Sequence, residues 1–143
     1  MNYLIKSGIN QFKLLIALLP YYLYNILMEE MNLRNYAYIG DAVWELFVRE
    51  HTVKQTDNAK ILHKITTDKV KASYQAEILH KMEPNFTEEE KEIARRARNL
   101  PIPVGRRSNQ TEYRYATAFE AIIGWWYYYD KEKLERFFSS EEF

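Results

Sequence analysis

The sequence predicts an all-α domain, on three observations. Apolar residues recur with a helical period almost throughout, no stretch shows the clean alternation of a half-buried strand, and the breaks between periodic segments carry helix-stop and helix-start residues. A first helix is expected within residues 9–30, bent or broken at Pro20, whose ring and missing N–H interrupt the backbone ladder. A second runs from about Leu33 to His51. Asp57 and Asn58 are good capping residues and open a third, to about Thr67. Asp68 can restart the chain into a fourth, through Met82, which Pro84 and Asn85 end. Thr87-Glu-Glu-Glu90 reads as a capping box opening a fifth helix to about Asn99. Leu100 to Asn109 holds Pro-Ile-Pro and Gly105 and is expected to be a loop. Thr111 starts the most apolar helix, ending near Tyr129, and a short last one covers 131–138.

At 143 residues the chain is one ordinary domain, and 47% apolar with 28% charged residues is a globular balance. No repeat or linker divides it, so residues 31–143 are read as a single domain, with 1–30 an apolar extension or first helix. Three readings of that extension stay open: a membrane or interfacial helix, a stretch upstream of the true start, or a helix packed on the domain. The run from Leu14 to Met28 is short for a membrane span and is followed by no small-residue cleavage site, so membrane association is not expected. The absence of cysteine excludes disulfides, thiolate metal sites and cysteine nucleophiles, and suits a reducing cytoplasm. His51, His63 and His80 form no zinc-type cluster. Formal net charge is zero, so any nucleic-acid contact must come from a local patch.

Two helices pose a chemical problem. In the first, Ile39, Val43, Leu46 and Phe47 form one apolar stripe, while Trp44 and Val48 lie on the other side, so the helix reads as buried all round. Asp41 shares that second side, with Glu45 one turn along. Burying a carboxylate there costs several kcal/mol unless a cation or hydrogen bonds compensate it. An arginine partner is the commoner solution; a metal ion is the other. In the second helix Glu120 is the only acid between Glu112 and Asp130, with small Ala116, Thr117 and Gly124 one turn away. Gly40 and Ala37 flank Asp41 in the same way. Small residues let helix backbones approach closely, so the pattern suits a crossing with one carboxylate from each helix at the contact. Two carboxylates so placed repel unless a cation sits between them, and oxygen-only ligands suit magnesium.

Ala37-Tyr-Ile-Gly-Asp-Ala-Val-Trp-Glu45 resembles the signature helix of the ribonuclease III catalytic domain, and Phe119-Glu-Ala-Ile-Ile-Gly124 resembles its second catalytic helix. Leu62-His63, Val70-Lys-Ala-Ser-Tyr-Gln-Ala76, Arg95-Arg-Ala-Arg-Asn99 and Thr111-Glu-Tyr-Arg-Tyr-Ala-Thr117 are similar to the Mini-ribonuclease III branch. The resemblance covers about Leu33 to Phe138. It implies an all-helical, symmetric homodimeric, magnesium-dependent endoribonuclease that cuts double-stranded RNA without a separate RNA-binding domain. In bacteria, such enzymes mature the large-subunit ribosomal RNA precursor, which makes a ribosomal protein a further partner to consider. It implies that Asp41 and Glu120 are the metal-binding and catalytic carboxylates. The larger relatives carry two further acids, which would fall at Ala37 and Thr117; this chain has neither. Glu45 is expected to form a structural ion pair. The alternative is a non-catalytic RNA-binding module of the same fold.

Grip on RNA is expected from local positive charge. From Lys91 to Arg114 there are seven lysines and arginines against two glutamates, and from Lys60 to Lys71 four lysines against one aspartate. Such runs are often only solvated faces, but the first leads through the Pro/Gly segment straight into the Glu120 helix. The expected RNA-binding residues are therefore Lys64, Lys69, Lys71, Arg95, Arg96, Arg98, Arg106, Arg107 and Arg114. A-form RNA is read mainly through shape, phosphates and 2′-hydroxyls, which these side chains suit.

Overall fold

The computed structural model describes residues 31–142, apart from the side chains of 106–108; the helix expected within 9–30 lies outside the described residues. Six α-helices follow one another: α1 (Leu33–Thr52), α2 (Ala59–Val70), α3 (Ala72–Met82), α4 (Glu88–Arg98), α5 (Gln110–Tyr129) and α6 (Lys131–Ser140). No strand occurs among the described residues.

Four of these helices, α1, α2, α4 and α6, begin at side-chain caps, from Asn32, Asn58, Thr87 and Asp130; α3 and α5 do not. The Asn58 side chain accepts from the backbone N–H groups of Lys60 and Ile61. Thr87 and Glu90 complete the expected capping box at α4, with Thr87 Oγ1 accepting from Glu90 N–H and the Glu90 carboxylate accepting from Thr87 N–H. The α2–α3 break falls at Lys71, not at Asp68. Asp68 stays helical because its carboxylate pairs with Lys64 one turn back and with Lys71 one turn on. The chain turns at Lys71, whose backbone is extended (φ −68°, ψ 150°). A second difference lies between α4 and α5. Only Asn99–Pro103 is irregular; Val104–Asn109 winds into 3₁₀ turns, because nothing after Pro103 interrupts i→i+3 bonding.

The core is built around α5, which packs against α1, α3 and α4. Its Ala118, Phe119, Ala121, Ile122 and Ile123 are fully buried, as befits a helix apolar on most sides. Trp44 of α1 is equally buried, edge-on to Phe119 at 5.1 Å between ring centres, and its indole N–H donates to the Lys69 carbonyl at 3.1 Å. That bond fastens the end of α2 to α1, and a buried hydroxyl pair, Thr52 with Thr66 at 2.9 Å, fastens the turn before it to the last residue of α1.

One buried charge organises the other end. Glu90, 5% exposed, accepts from the Trp126 indole at 2.7 Å and from Lys133 Nζ at 2.5 and 2.7 Å, joining α4, α5 and α6. Burial works to raise its pKa, but Lys133, the Thr87 N–H and Trp126 outweigh it and hold the carboxylate below its ordinary range. A carboxyl depressed on folding stabilises the fold above its unfolded pKa, and that stability is lost as pH falls through the folded value. Glu90→Gln keeps an acceptor for Trp126 but removes the charge facing Lys133. It should lower stability by about 2 kcal/mol at neutral pH. In thermal melts the gap to wild type should close as pH falls below the ordinary 4.5 and through the lower folded value; a constant gap would show that the charge is not what matters.

Helix α1 is not covered on both sides. Tyr36, Ala37, Gly40, Trp44, Phe47 and Val48 face the core, whereas Leu46 is 60% exposed and Ile39 and Val43 are half-buried. No described element covers the outer stripe. It forms instead one wall of an apolar groove of about 480 Å³, with Tyr127, Tyr128 and Phe138 on the other side.

Candidate active site

The site begins with two glycines. A Cβ on Gly40 would lie 1.7 Å from the Glu120 carbonyl oxygen, and one on Gly124 would lie 2.0 Å from that of Tyr36. Helices α1 and α5 therefore cross backbone to backbone, each glycine accepting the other helix. The crossing brings Asp41, next to Gly40, within hydrogen-bond reach of the Glu120 side chain.

Asp41 is not buried, which corrects the sequence reading. It is exposed, and Glu120 is half-buried. Asp41 stands at the margin of the core face, beside Gly40, so its carboxylate is both within reach of Glu120 and open to solvent. Partial enclosure raises its pKa above the ordinary 3.8, the negative charge of Glu45 raises it further, and the hydrogen bond with Glu120 opposes both. No lysine or arginine forms an ion pair with Asp41 among the described residues. Glu45 has its own partner: Arg49 donates to it through Nε at 2.8 Å and through Nη2 at 2.5 Å, the structural pair expected from its position.

The neighbouring positions explain why the pair stands without further acids. Ala37 is 6% exposed and packed at the crossing, and the Thr117 hydroxyl donates to the Tyr113 carbonyl at 2.9 Å. No group of three histidines or acids suited to a metal ion occurs among the described residues. An exposed Asp41 with no basic ion-pair partner among the described residues, hydrogen-bonded to a half-buried Glu120, still fits a hard cation that keeps most of its water, the pattern by which magnesium is held.

The structure sorts the basic residues by what they already hold. Arg98 pairs with Glu83 and lies over the Tyr115 ring, 5.3 Å from its centre. Arg114 donates to the Arg98 carbonyl at 2.6 Å, closing the end of α4. Arg95 pairs with Glu92, Lys64 and Lys71 with Asp68, and Lys69 sits 4.5 Å over the Tyr74 ring. Arg96 is exposed and forms no ion pair among the described residues, though its charge helps to lower the pKa of Glu92. Arg106 and Arg107 fall among the side chains left undescribed. The sequence reading missed Arg34, which donates to the Pro101 carbonyl at 2.7 Å and lines a small cleft with Arg98, Arg114 and Thr117. Its spacing of seven residues from Asp41 was the available signal.

Residues 34–131 match the family model of the Ribonuclease III domain. A Mini-ribonuclease 3 of Desulfitobacterium hafniense is 38% identical over 99 residues, covering 68% of this chain and 63% of that protein. A Mini-ribonuclease 3 of Gloeobacter violaceus is 39% identical over 107 residues, covering 75% of this chain and 79% of its own. A crystal structure of a Fusobacterium nucleatum protein, 34% identical, superposes with a TM-score of 0.67 over 78% of this chain and 91% of that one. The match thus spans less than two thirds of the first relative's length. The all-helical fold matched from residue 34 to 131 is that of a ribonuclease III domain, an endoribonuclease class, and α1 and α5 with their glycine crossing lie within it. Within that class the chain belongs to the Mini-ribonuclease 3 family.

Proposed function

We propose that the chain is a magnesium-dependent endoribonuclease that cuts double-stranded RNA, and that Asp41 and Glu120 are its catalytic carboxylates. The observation that carries this reading is the α1–α5 crossing, which holds two acids together, open to solvent, with no basic ion-pair partner on Asp41. The family membership supports the reaction class; the cytoplasm and the large-subunit ribosomal RNA precursor are the setting and substrate we infer from it. A ribosomal protein that presents this RNA is the further partner consistent with that substrate.

Magnesium bound between Asp41 and Glu120 would lower the pKa of a bound water and neutralise charge on the scissile phosphate. The two side chains supply the ligands: Asp41 from a rigid turn of α1, Glu120 from the central helix. The raised pKa of Asp41 makes binding compete with a proton, so it strengthens as pH rises through that pKa. Incubating the full chain with a duplex RNA, in magnesium and in chelator, tests the reading directly. Cleavage in magnesium alone supports it, and duplex binding without cleavage in any divalent ion returns the non-catalytic alternative.

A duplex has two strands and each chain supplies one such site, so we propose a twofold homodimer. The groove beside α1 supports this, since Leu46, in its wall and 60% exposed, is costly to leave in water and lies along the helix that carries Asp41. Leu46→Asp should convert a dimer of twice 17.2 kDa into a monomer by light scattering at micromolar concentration. A wild-type mass of 17.2 kDa in an active sample would overturn the dimer.

A further inference from the structure

Arg34 stands on α1 two turns before Asp41, on the same face, about 10 Å along the helix axis. It is exposed, yet its guanidinium is not idle: Nη2 donates to the Pro101 carbonyl at 2.7 Å, fixing the irregular segment between α4 and α5 against α1. A guanidinium has five N–H donors, and this is the single bond Arg34 makes among the described residues. No acid pairs with it among the described residues. The cleft it borders is water-sized, about 10 Å³, and is shared with Arg114, whose guanidinium is likewise matched by a carbonyl and not a carboxylate. Thr117, one turn before Glu120, lies in the same wall. Two arginines matched by carbonyls, with no acidic partner among the described residues, thus share one cleft, bordered by Thr117 one turn before Glu120 and by Arg34 two turns before Asp41.

Resting on the ribonuclease reading above, we propose that Arg34 is a substrate-binding residue for the RNA backbone. It takes a phosphate next to the one cut between Asp41 and Glu120, while the same planar group braces Pro101. Negative charge at Asp41 and Glu120 would repel an RNA strand, and a forked cation two turns away offsets that repulsion without neutralising the site. The spacing matters as much as the charge. A phosphate held at Arg34 fixes how far the strand can slide along α1, and so which phosphodiester reaches the carboxylates. Guanidinium suits the double duty because its donors diverge in one plane; an ammonium on a flexible stem serves as a point charge only.

The test uses the full-length chain in chelator, where the RNA is bound but not cut, and reads affinity for a short duplex RNA as a function of salt. Arg34→Ala and Arg34→Gln should each weaken binding roughly tenfold. Each should also flatten the log–log salt dependence by about 0.9, the slope carried by one phosphate contact. Arg34→Lys should keep the slope and recover part of the affinity. In magnesium, the alanine and glutamine variants should raise KM with kcat nearly unchanged, and product ends should spread over neighbouring phosphodiesters. An unchanged slope in Arg34→Ala overturns the proposal. So does wild-type behaviour of Arg34→Gln, which can still donate to Pro101 and would reduce Arg34 to a tether. Failure of the ribonuclease reading is seen separately, as a wild-type chain that leaves the duplex uncut.

Discussion

Asp41→Asn and Glu120→Gln should each abolish most RNA cleavage while leaving the protein folded and still able to bind the duplex. Both changes keep side-chain size and hydrogen-bonding shape and remove one of the charges that would hold the cation. Loss of a metal-activated water and of charge neutralisation at the phosphate removes several kcal/mol of transition-state stabilisation, so cleavage should fall by roughly a thousandfold or more. Stability separates this from a structural role. Asp41 has a pKa raised by partial enclosure and by Glu45, so the native state holds its proton better than the unfolded chain does. Ionised Asp41 therefore costs the fold stability above its folded pKa, and the cost disappears as pH falls through that value. Without metal at neutral pH, Asp41→Asn should melt at the wild-type temperature or above it. Near pH 3 the two should coincide. Magnesium should raise the melting temperature of wild type and not that of the variant, because a ligand stabilises only the state that binds it. A variant that melts early yet still cuts RNA in the cold would end the metal assignment for that residue.

The parts of the molecule legible in the sequence are those set by local chemistry. The α4 capping box and the Asn58 cap stand where Thr87, Glu90 and Asn58 promise them, because capping is decided within four residues. The α1–α5 crossing was legible for a different reason. Small residues one turn either side of an acid, repeated on two helices, leave room for the backbone contact that Gly40 and Gly124 make. What the sequence hid depends on neighbours far along the chain. Periodicity showed two apolar sides on α1 but could not say which side the rest of the fold would cover, so Asp41 was expected inside and stands at the rim. The basic run from Lys91 to Arg114 looked uniform, yet Arg98 ties the end of α4 back to Glu83, and Arg114 of α5 holds the end of α4 through a backbone carbonyl. Arg34 escaped notice because its partner, Pro101, is sixty-seven residues away.

The crossing itself predicts a large effect of the opposite sign to helix propensity. On an ordinary helix, replacing glycine by alanine stabilises by up to about 1 kcal/mol, since alanine loses less backbone freedom on folding. Gly40→Ala should instead destabilise by about 3 kcal/mol, roughly 10–15 °C in melting temperature for a domain of this size. Its Cβ would meet the Glu120 carbonyl oxygen at 1.7 Å, and backbone cannot rotate aside as a side chain would. Gly124→Ala meets the Tyr36 carbonyl at 2.0 Å and should behave alike. The double variant should cost less than the sum, because either methyl alone pushes the helices apart and makes room for the other. Separation of α1 from α5 also separates Asp41 from Glu120. The magnesium-induced rise in melting temperature should therefore shrink in each glycine variant, even at temperatures where it is fully folded. Melting curves of the four proteins, with magnesium and with chelator, give both quantities. A higher melting temperature for Gly40→Ala would mean that the helices do not touch there, and the shared carboxylate site would lose its geometric basis.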